Sequence, residues 1–368
     1  MDVPFLDLAR QHAELGAGLT GAAGKVLAGG AYVLGREVEA FEREWADFCG
    51  ARAAAGVANG TDALALALLA SGAVRPGRGD EVITSPLTAG YTALAILNAG
   101  AVPVFADINP HTYTLDPEDL ERSLTPRTRA VVPVHLYGRM ADVGGVCDVA
   151  GRKGLVVIED AAQAHGASAD GRRAGAHGHA AAFSFYPTKN LGACGDGGAV
   201  TSDDPALVER VKGLRQGGHP PAMRGELAGR NSRLDELQAA LLRVKLTRLD
   251  EWNRRRRALA AEYRRALKGD PVILPEATAD ADSHVYHLFV VGHPRRDLLR
   301  AHLAARGVES LIHYPAPLHL QPLFPEGRRR PLPNSERAAE RVLSLPLHPH
   351  LRDDELRAVA EAANAFND

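Results

Sequence analysis

The segment LVVIEDAAQAHGA, residues 155–167, decides the fold class. Its opening run is apolar without interruption and ends on two carboxylates, Glu159 and Asp160. A short run of this kind marks a strand buried on both faces, as strands of a parallel sheet are. Carboxylates at the carboxyl end of such a strand stand where open α/β sheets receive their ligands. Gln163 follows Asp160 by three residues, which is one turn on if a helix starts there. The plainer alternative makes Asp160 no more than the cap of that helix.

Similar runs lie on either side. DEVITS (80–85), AVPVFAD (101–107) and RAVVPV (129–134) precede it; AAFSFY (181–186) and GAVTSD (198–203) follow. Helix-like stretches such as TDALALALLAS (61–71) and TAGYTALAILNAG (88–100) separate some of them. The alternation predicts an α/β domain with a largely parallel sheet. Residues 233–267 carry apolar positions at helical spacing with charge on the other face, which predicts one or two long helices. Further on the texture changes: prolines cluster at 315–349, and the β-like HVYHLFVV (284–291) lies near the helical DLLRAHLAARG (297–307). A boundary inside the long helical stretch divides the chain into a large α/β domain, 1–250, and a smaller α+β domain, 251–368.

Composition narrows the function classes. The 368 residues are 45% hydrophobic and 24% charged, as in ordinary globular proteins. A net charge of −2 supplies no global field for nucleic acid or an anionic membrane. There is no run of about 18 apolar residues to span a bilayer. Asp2 and Asp7 stand where a secretion signal needs basic residues followed by an apolar stretch, so a cytoplasmic protein is expected. Cys49, Cys147 and Cys194 are too scattered for a disulfide framework or a cysteine zinc site. His177-Gly-His179 lacks a third ligand at a recognisable spacing, so no metal is expected. GAGLTG (16–21) has the spacing of a dinucleotide fingerprint but follows a helical segment instead of a strand, and is taken as a surface turn. The arginine run 254–257 is taken as a solvated helix face, and 328–330 as a weak phosphate-contact candidate.

Two further segments complete a chemical pattern with Asp160. In NGTDALALAL (59–68), Asn59, Thr61 or Asp62 can cap the following helix, and Gly60 permits close approach of a ligand. A helix N-terminus attracts anions, though most capped helices bind none. In FSFYPTKNLGACGDGGAV (183–200), Lys189 stands among Phe185, Tyr186, Pro187 and Leu191, with Gly192, Gly195, Gly197 and Gly198 beyond. Desolvation there lowers an amine's pKa and makes it nucleophilic; the plainer reading is a surface lysine whose stem lies on apolar neighbours. A phosphate cradle, a carboxylate and a desolvated lysine together match the needs of pyridoxal phosphate.

At this point the sequence resembles the DegT/DnrJ/StrS family of pyridoxal-phosphate-dependent nucleotide-sugar aminotransferases. The resemblance spans nearly the whole chain: PFLDLARQ (4–11), NGTDAL (59–64), GDEVITSP (79–86), PVFADI (103–108), PVHLYG (133–138), EDAAQAHGA (159–167), SFYPTKNLG (184–192), GDGGAV (195–200), NSRLDELQAA (231–240), HVYHLFVV (284–291), IHYPAPLHLQP (312–322) and LPLHPHL (345–351). It implies an aspartate-aminotransferase-like fold, the N-terminal ~25 residues packing on the small domain. It implies an amino group moved from L-glutamate to C3 or C4 of a nucleotide-linked keto-sugar, carried between half-reactions on pyridoxamine 5'-phosphate. Lys189 would be the Schiff-base lysine and proton shuttle. Asp160 would pair with the pyridine nitrogen, with Gln163 near the ring. Gly60, Thr61 and Ser184 would hold the phosphate, and Asn231 would reach the phosphate of a neighbouring subunit's cofactor in a homodimer. His313 and Tyr314 would lie near the nucleotide-sugar.

The sequence departs from the family pattern at Ala89, where a ring-stacking aromatic is usual, with Tyr91 two residues on, and at Arg230, which often is aromatic. The resemblance has two rival outcomes. One is a deoxysugar dehydratase using the same cofactor, which carries histidine where Lys189 stands; the other is a non-catalytic regulator, disfavoured by Asp160, Gln163 and Lys189 together. A nicotinamide-dependent oxidoreductase has only GAGLTG behind it.

Overall fold

The computed structural model describes residues 2–218, 229–268, 280–324 and 330–366. Its strands are β1 (Ala53–Val57), β2 (Glu81–Thr84), β3 (Val102–Phe105), β4 (Thr128–Val132), β5 (Val156–Asp160), the short β6 (Ser168–Ala169) and β7 (Arg172–Arg173), β8 (Ala180–Ser184), β9 (Gly198–Ser202), β10 (Phe289–Gly292) and β11 (Val342–Leu345). Seven of them form one sheet in the order β1-β9-β8-β5-β4-β2-β3. The pairs β3/β2, β2/β4, β4/β5 and β5/β8 are parallel; β9 runs antiparallel to both β8 and β1. All six strands expected from the sequence are therefore present. The seventh, β1, is AAAGV, and its alanines and glycine carry no β preference that would announce it.

The helices are α1 (Leu8–Gly29), α2 (Arg36–Cys49), α3 (Gly60–Ala70), α4 (Gly90–Asn98), α5 (Pro117–Arg122), α6 (Val143–Lys153), α7 (Pro205–Leu214), α8 (Glu236–Leu246), α9 (Leu249–Ala266), α10 (Arg296–Ala304), α11 (Pro333–Arg341) and α12 (Asp353–Asn364). Helix α3 buries every residue from Ala63 to Ala70, which is why its sequence is apolar all round. It forms a core with α7 and the sheet residues Val57, Val82 and Val132. On the opposite side Phe41 and Trp45 of α2 pack against Phe183 and Phe185. A further core surrounds the β10/β11 pair, where Tyr263 of α9, Leu299 of α10 and Val359 of α12 meet Phe289 and Leu343.

Several expectations change here. GAGLTG lies in the middle of α1 and is not a turn. Its Gly18 lets α1 approach α8, since a Cβ there would come 3.3 Å from Val244 Cγ1. Residues 233–267 divide into α8 and α9 at Thr247 and Arg248. HVYHLFVV contributes a strand only from Phe289. The arginine run on α9 is not a solvated face throughout. Arg256 is buried and donates to the carbonyls of Tyr286, His287 and Leu347, while Arg255 pairs with Asp353 and Arg257 with Asp282. Of the second run, Arg328 and Arg329 lie outside the described residues, and Arg330 donates to Asp119 and to Ser123.

The N-terminal segment joins the late part of the chain. Val3 is fully buried and pairs in parallel with Val308, and Arg10 makes a two-pronged contact with Glu355 at 2.7 and 2.8 Å. Beyond Glu14, which bonds Trp252, Arg248 and His350, α1 runs along α8. Among the described residues no helix is long and apolar enough to cross a membrane.

Candidate active site

Strands β1 and β8 end at the same point. Val57 and Ser184 both pair with Gly198, the first residue of β9. The N-terminus of α3 is thereby brought against the end of β8. A Cβ on Gly60 would lie 2.6 Å from Ser184 Cβ, and one on Gly198 would lie 2.4 Å from the Asn59 carbonyl oxygen. Only glycine fits at either place. Asn59 caps the helix by accepting from the Asp62 amide at 2.8 Å. The amides of Gly60 and Thr61 precede the first intrahelical bond, so the helix itself does not use them. Next to Ser184 they form a cradle suited to an anion.

Asp160 closes β5 and is 9% exposed. Its Oδ2 accepts from the Thr92 hydroxyl at 2.8 Å and its Oδ1 from the Ala162 amide at 3.2 Å. Gln163 does not lie in a helix; it follows in a turn. Its Oε1 accepts from the Tyr137 amide at 2.6 Å, so its Nε2 faces away and donates to the Tyr314 hydroxyl at 3.2 Å. Tyr137 in turn donates its hydroxyl to the His313 carbonyl. His313 Nδ1 lies 2.9 Å from Ser344 Oγ on β11. Burial pushes the Tyr314 phenol up to about 12, against the Gln163 hydrogen bond.

Lys189 sits in the turn after β8, its amide donating to the Tyr186 carbonyl at 2.9 Å. Burial lowers its amine to about 8, opposed by the charge of Asp160. Part of its surface still meets solvent. The neighbouring Asn190 is buried, and its side chain joins three parts of the chain: Nδ2 donates to Asn253 Oδ1 at 2.9 Å and to the Val285 carbonyl, and Oδ1 lies 3.2 Å from His287 Nδ1. Asn253 Nδ2 donates to the His165 carbonyl at 2.7 Å. Burial, followed by the Lys189 charge, lowers His165 to about 3 and His313 to about 4, so both face the lysine as neutral imidazoles.

Lys189, Asp160, Gln163, His313 and Tyr314 are thus gathered at one end of the sheet, with Gly60, Thr61 and Ser184 at the strand end beside them. Asn231 itself is exposed, but Arg230 pairs with Asp62 at 3.1 Å and Ser232 accepts from the Ala58 amide at 3.1 Å, so Asn231 stands near the start of α3. Ala89 caps α4, and Tyr91 is 68% exposed. His179 is used structurally, its Nδ1 accepting from the Val157 amide, and the described residues hold no cluster suited to a metal. Thr92, Tyr137 and Asn190 join the site without a signal of their own in the sequence. Tyr137 lies in PVHLYG and Asn190 beside the lysine, but neither residue type signals what its side chain holds.

A desolvated lysine opposite a carboxylate suits amine chemistry on carbonyl compounds. The chain is an aminotransferase, and the comparisons specify which kind. It belongs to the DegT/DnrJ/EryC1/StrS aminotransferase family, whose model matches residues 15–364. It is 50% identical, over 99% of its length and 96% of the relative's, to a dTDP-3-amino-3,4,6-trideoxy-alpha-D-glucose transaminase of Streptomyces venezuelae. Its fold matches S. venezuelae DesV, solved in complex with a ketimine intermediate, with TM-score 0.94, 48% identity and 100% of both chains covered. A Bacillus subtilis NtdA structure with bound cofactor PMP matches with TM-score 0.89 and 32% identity, covering 98% of this chain and 84% of that one. The family depends on pyridoxal phosphate.

Proposed function

We propose that this protein transfers an amino group from L-glutamate to a keto carbon, C3 or C4, of a nucleotide-diphosphate-linked sugar, with pyridoxal 5'-phosphate as cofactor. The observation that carries the reading is Lys189, desolvated and within electrostatic reach of Asp160. The residues present fit the cofactor by their chemistry. A cradle of Gly60 and Thr61 amides with Ser184 takes a phosphate, Asp160 takes a protonated ring nitrogen, and Gln163 is oriented by the Tyr137 amide with its Nε2 free of that bond. When bound, the cofactor supplies an electron sink for the carbanion left by loss of an α-proton.

Lys189 Nζ then serves as base and acid in turn. Its amine, lowered to about 8 by burial, is charged at pH 7 but gives up its proton far more readily than an ordinary lysine, and once protonated it can return the proton at the adjacent carbon. Asp160 keeps the ring nitrogen charged and therefore withdrawing. His313 and Tyr314 form the side of the site that receives the sugar, and Asn231 reaches the phosphate of a second subunit's cofactor in a homodimer. The reading includes a division of the chain into a cofactor-binding body, 1–250, and a smaller body, 251–368; the separate core around β10 and β11 supports it. A cytoplasmic location goes with it. Lys189 speaks against the dehydratase, in which a histidine takes this place.

The test is an absorbance spectrum of the purified protein with pyridoxal phosphate, then with L-glutamate. A visible band that glutamate moves to shorter wavelength is expected, and Lys189→Ala should abolish it. A Lys189→Ala variant that still transaminates near the wild-type rate would refute the assignment.

A further inference from the structure

Thr92 and Thr88 form a hydroxyl chain that ends on Asp160. Thr92 lies in the first turn of α4 and Thr88 just before that helix; both are buried, at 3% and 2% exposure. Thr92 Oγ1 is 2.8 Å from Asp160 Oδ2 and 3.2 Å from Thr88 Oγ1. A hydroxyl has one hydrogen to give. Asp160 offers only acceptor oxygens once ionised, so Thr92 spends its hydrogen there, and Thr88 must be the donor to Thr92. The chain therefore has a direction, Thr88 to Thr92 to Asp160. Ala162 meanwhile donates to the other oxygen at 3.2 Å. Each carboxylate oxygen has one fixed donor, and the plane of the carboxylate is set by groups on two separate elements.

We propose that Thr92 is a positioning residue for the aminotransferase reaction: its hydroxyl, itself polarised by Thr88, fixes the Asp160 carboxylate in the orientation that meets the pyridine nitrogen of the cofactor. This rests on the reading of Asp160 given above. A carboxylate on a strand end is free to turn about its last two side-chain bonds. One donor on each oxygen, that of Thr92 fully buried, removes that freedom before the cofactor arrives, so none of the binding energy is spent on ordering it. Hydrogen bonds to charged groups are also stronger than neutral ones. The role belongs to the hydroxyl and not to the bulk of the side chain, which makes the proposal separable from packing.

The experiment compares Thr92→Val, Thr92→Ser, Asp160→Asn and the double variant Thr92→Val/Asp160→Asn. Valine keeps the shape and removes the hydroxyl; serine keeps the hydroxyl. The readouts are the equilibrium affinity for pyridoxal phosphate, the single-turnover rate with L-glutamate at saturating cofactor, and the melting temperature of the cofactor-free protein. Thr92→Val should weaken cofactor affinity roughly tenfold and slow the single turnover. Thr92→Ser should restore both, and in the Asp160→Asn background the valine substitution should have little further effect. Unchanged affinity and turnover in Thr92→Val, with both lowered in Asp160→Asn, would overturn the role of Thr92 and leave the reading of Asp160 standing. Equal losses in Thr92→Val and Thr92→Ser would overturn it as well, by assigning the effect to packing. An Asp160→Asn protein indistinguishable from wild type would remove the underlying reading, and the proposal with it.

Discussion

Glu159 and Asp160 are consecutive at the end of β5, yet their side chains serve opposite sides of the sheet. Successive strand residues alternate in direction. Glu159 is fully buried and accepts from the amides of Gly175, His177 and Gly178 at 2.8 to 3.0 Å. His135 lies 2.9 Å from it, and because the Ala141 amide donates to His135 Nδ1, it is Nε2–H that faces the carboxylate. One carboxylate ties down the loops behind the site while the next, turned the other way, enters it.

The bonds to Glu159 outweigh the cost of burying its charge. Burial pushes its carboxyl up, but the hydrogen bond from His135 and those from the loop amides outweigh this and hold it at about 2, below the ordinary 4.5. The corresponding stabilisation, about 3 kcal/mol, is fully present above pH 4.5 and is lost as pH falls towards 2. Glu159→Gln should therefore be less stable than wild type by that order at pH 7, and urea unfolding at a series of pH values should show the gap closing below pH 4.5.

Lys189 has the opposite sign. Burial is the larger influence and lowers its amine to about 8 from 10.5. Below pH 8 the folded protein holds an unfavourable charge; between 8 and 10.5 the unfolded chain binds the extra proton, so wild-type stability rises with pH. Lys189→Met should lose transamination and yet stabilise the cofactor-free protein at pH 7 by about 1–2 kcal/mol, discounted for the solvent that Lys189 still meets. The advantage should fade above pH 8 in thermal melts.

Tyr137 connects the two groups expected to flank the cofactor and the sugar. Its amide orients Gln163 and its hydroxyl holds the His313 carbonyl. Tyr137→Phe removes only the second bond. The KM for the nucleotide-sugar should rise by about three- to tenfold, the size of one modest hydrogen bond, while the half-reaction with glutamate stays near wild type. Equal effects on both half-reactions would show that the loop holding His313 is not specific to the sugar.

Gly60→Ala tests the anion cradle. The added Cβ would approach Ser184 Cβ to 2.6 Å, so α3 and β8 must separate. Affinity for pyridoxal phosphate should fall by about tenfold or more, whereas affinity for pyridoxal, which lacks the phosphate, should change little. Competition by inorganic phosphate should weaken in parallel.

Much of this arrangement was legible in the sequence, because strands buried on both faces announce themselves as apolar runs. The end of β5 then located Asp160, and the apolar surroundings of Lys189 signalled its desolvation. What the sequence does not signal has a common cause. Four of the five residues of β1 are alanine or glycine, which fit wherever neighbours leave room. Thr92, Tyr137 and Asn190 act through partners 68, 176 and 63 residues away, and no local pattern encodes such a pairing. The glycines of GAGLTG mislead in the same manner: the contact that gives Gly18 its meaning is Val244, on a helix far along the chain.

The pairing of Val3 with Val308 imposes an order of events on biosynthesis. Val3 is made roughly 300 residues ahead of its partner, which at 5–20 residues per second is a delay of roughly 15–60 s on the ribosome. Through that interval Val3 lacks its strand partner Val308, and the Phe5 amide lacks the Glu309 carboxylate it donates to. These two links can form only after every strand of the seven-stranded sheet has been made. A bulky fusion at this end would therefore interfere late, at the closing of the β10/β11 core, and its damage would be felt furthest along the chain.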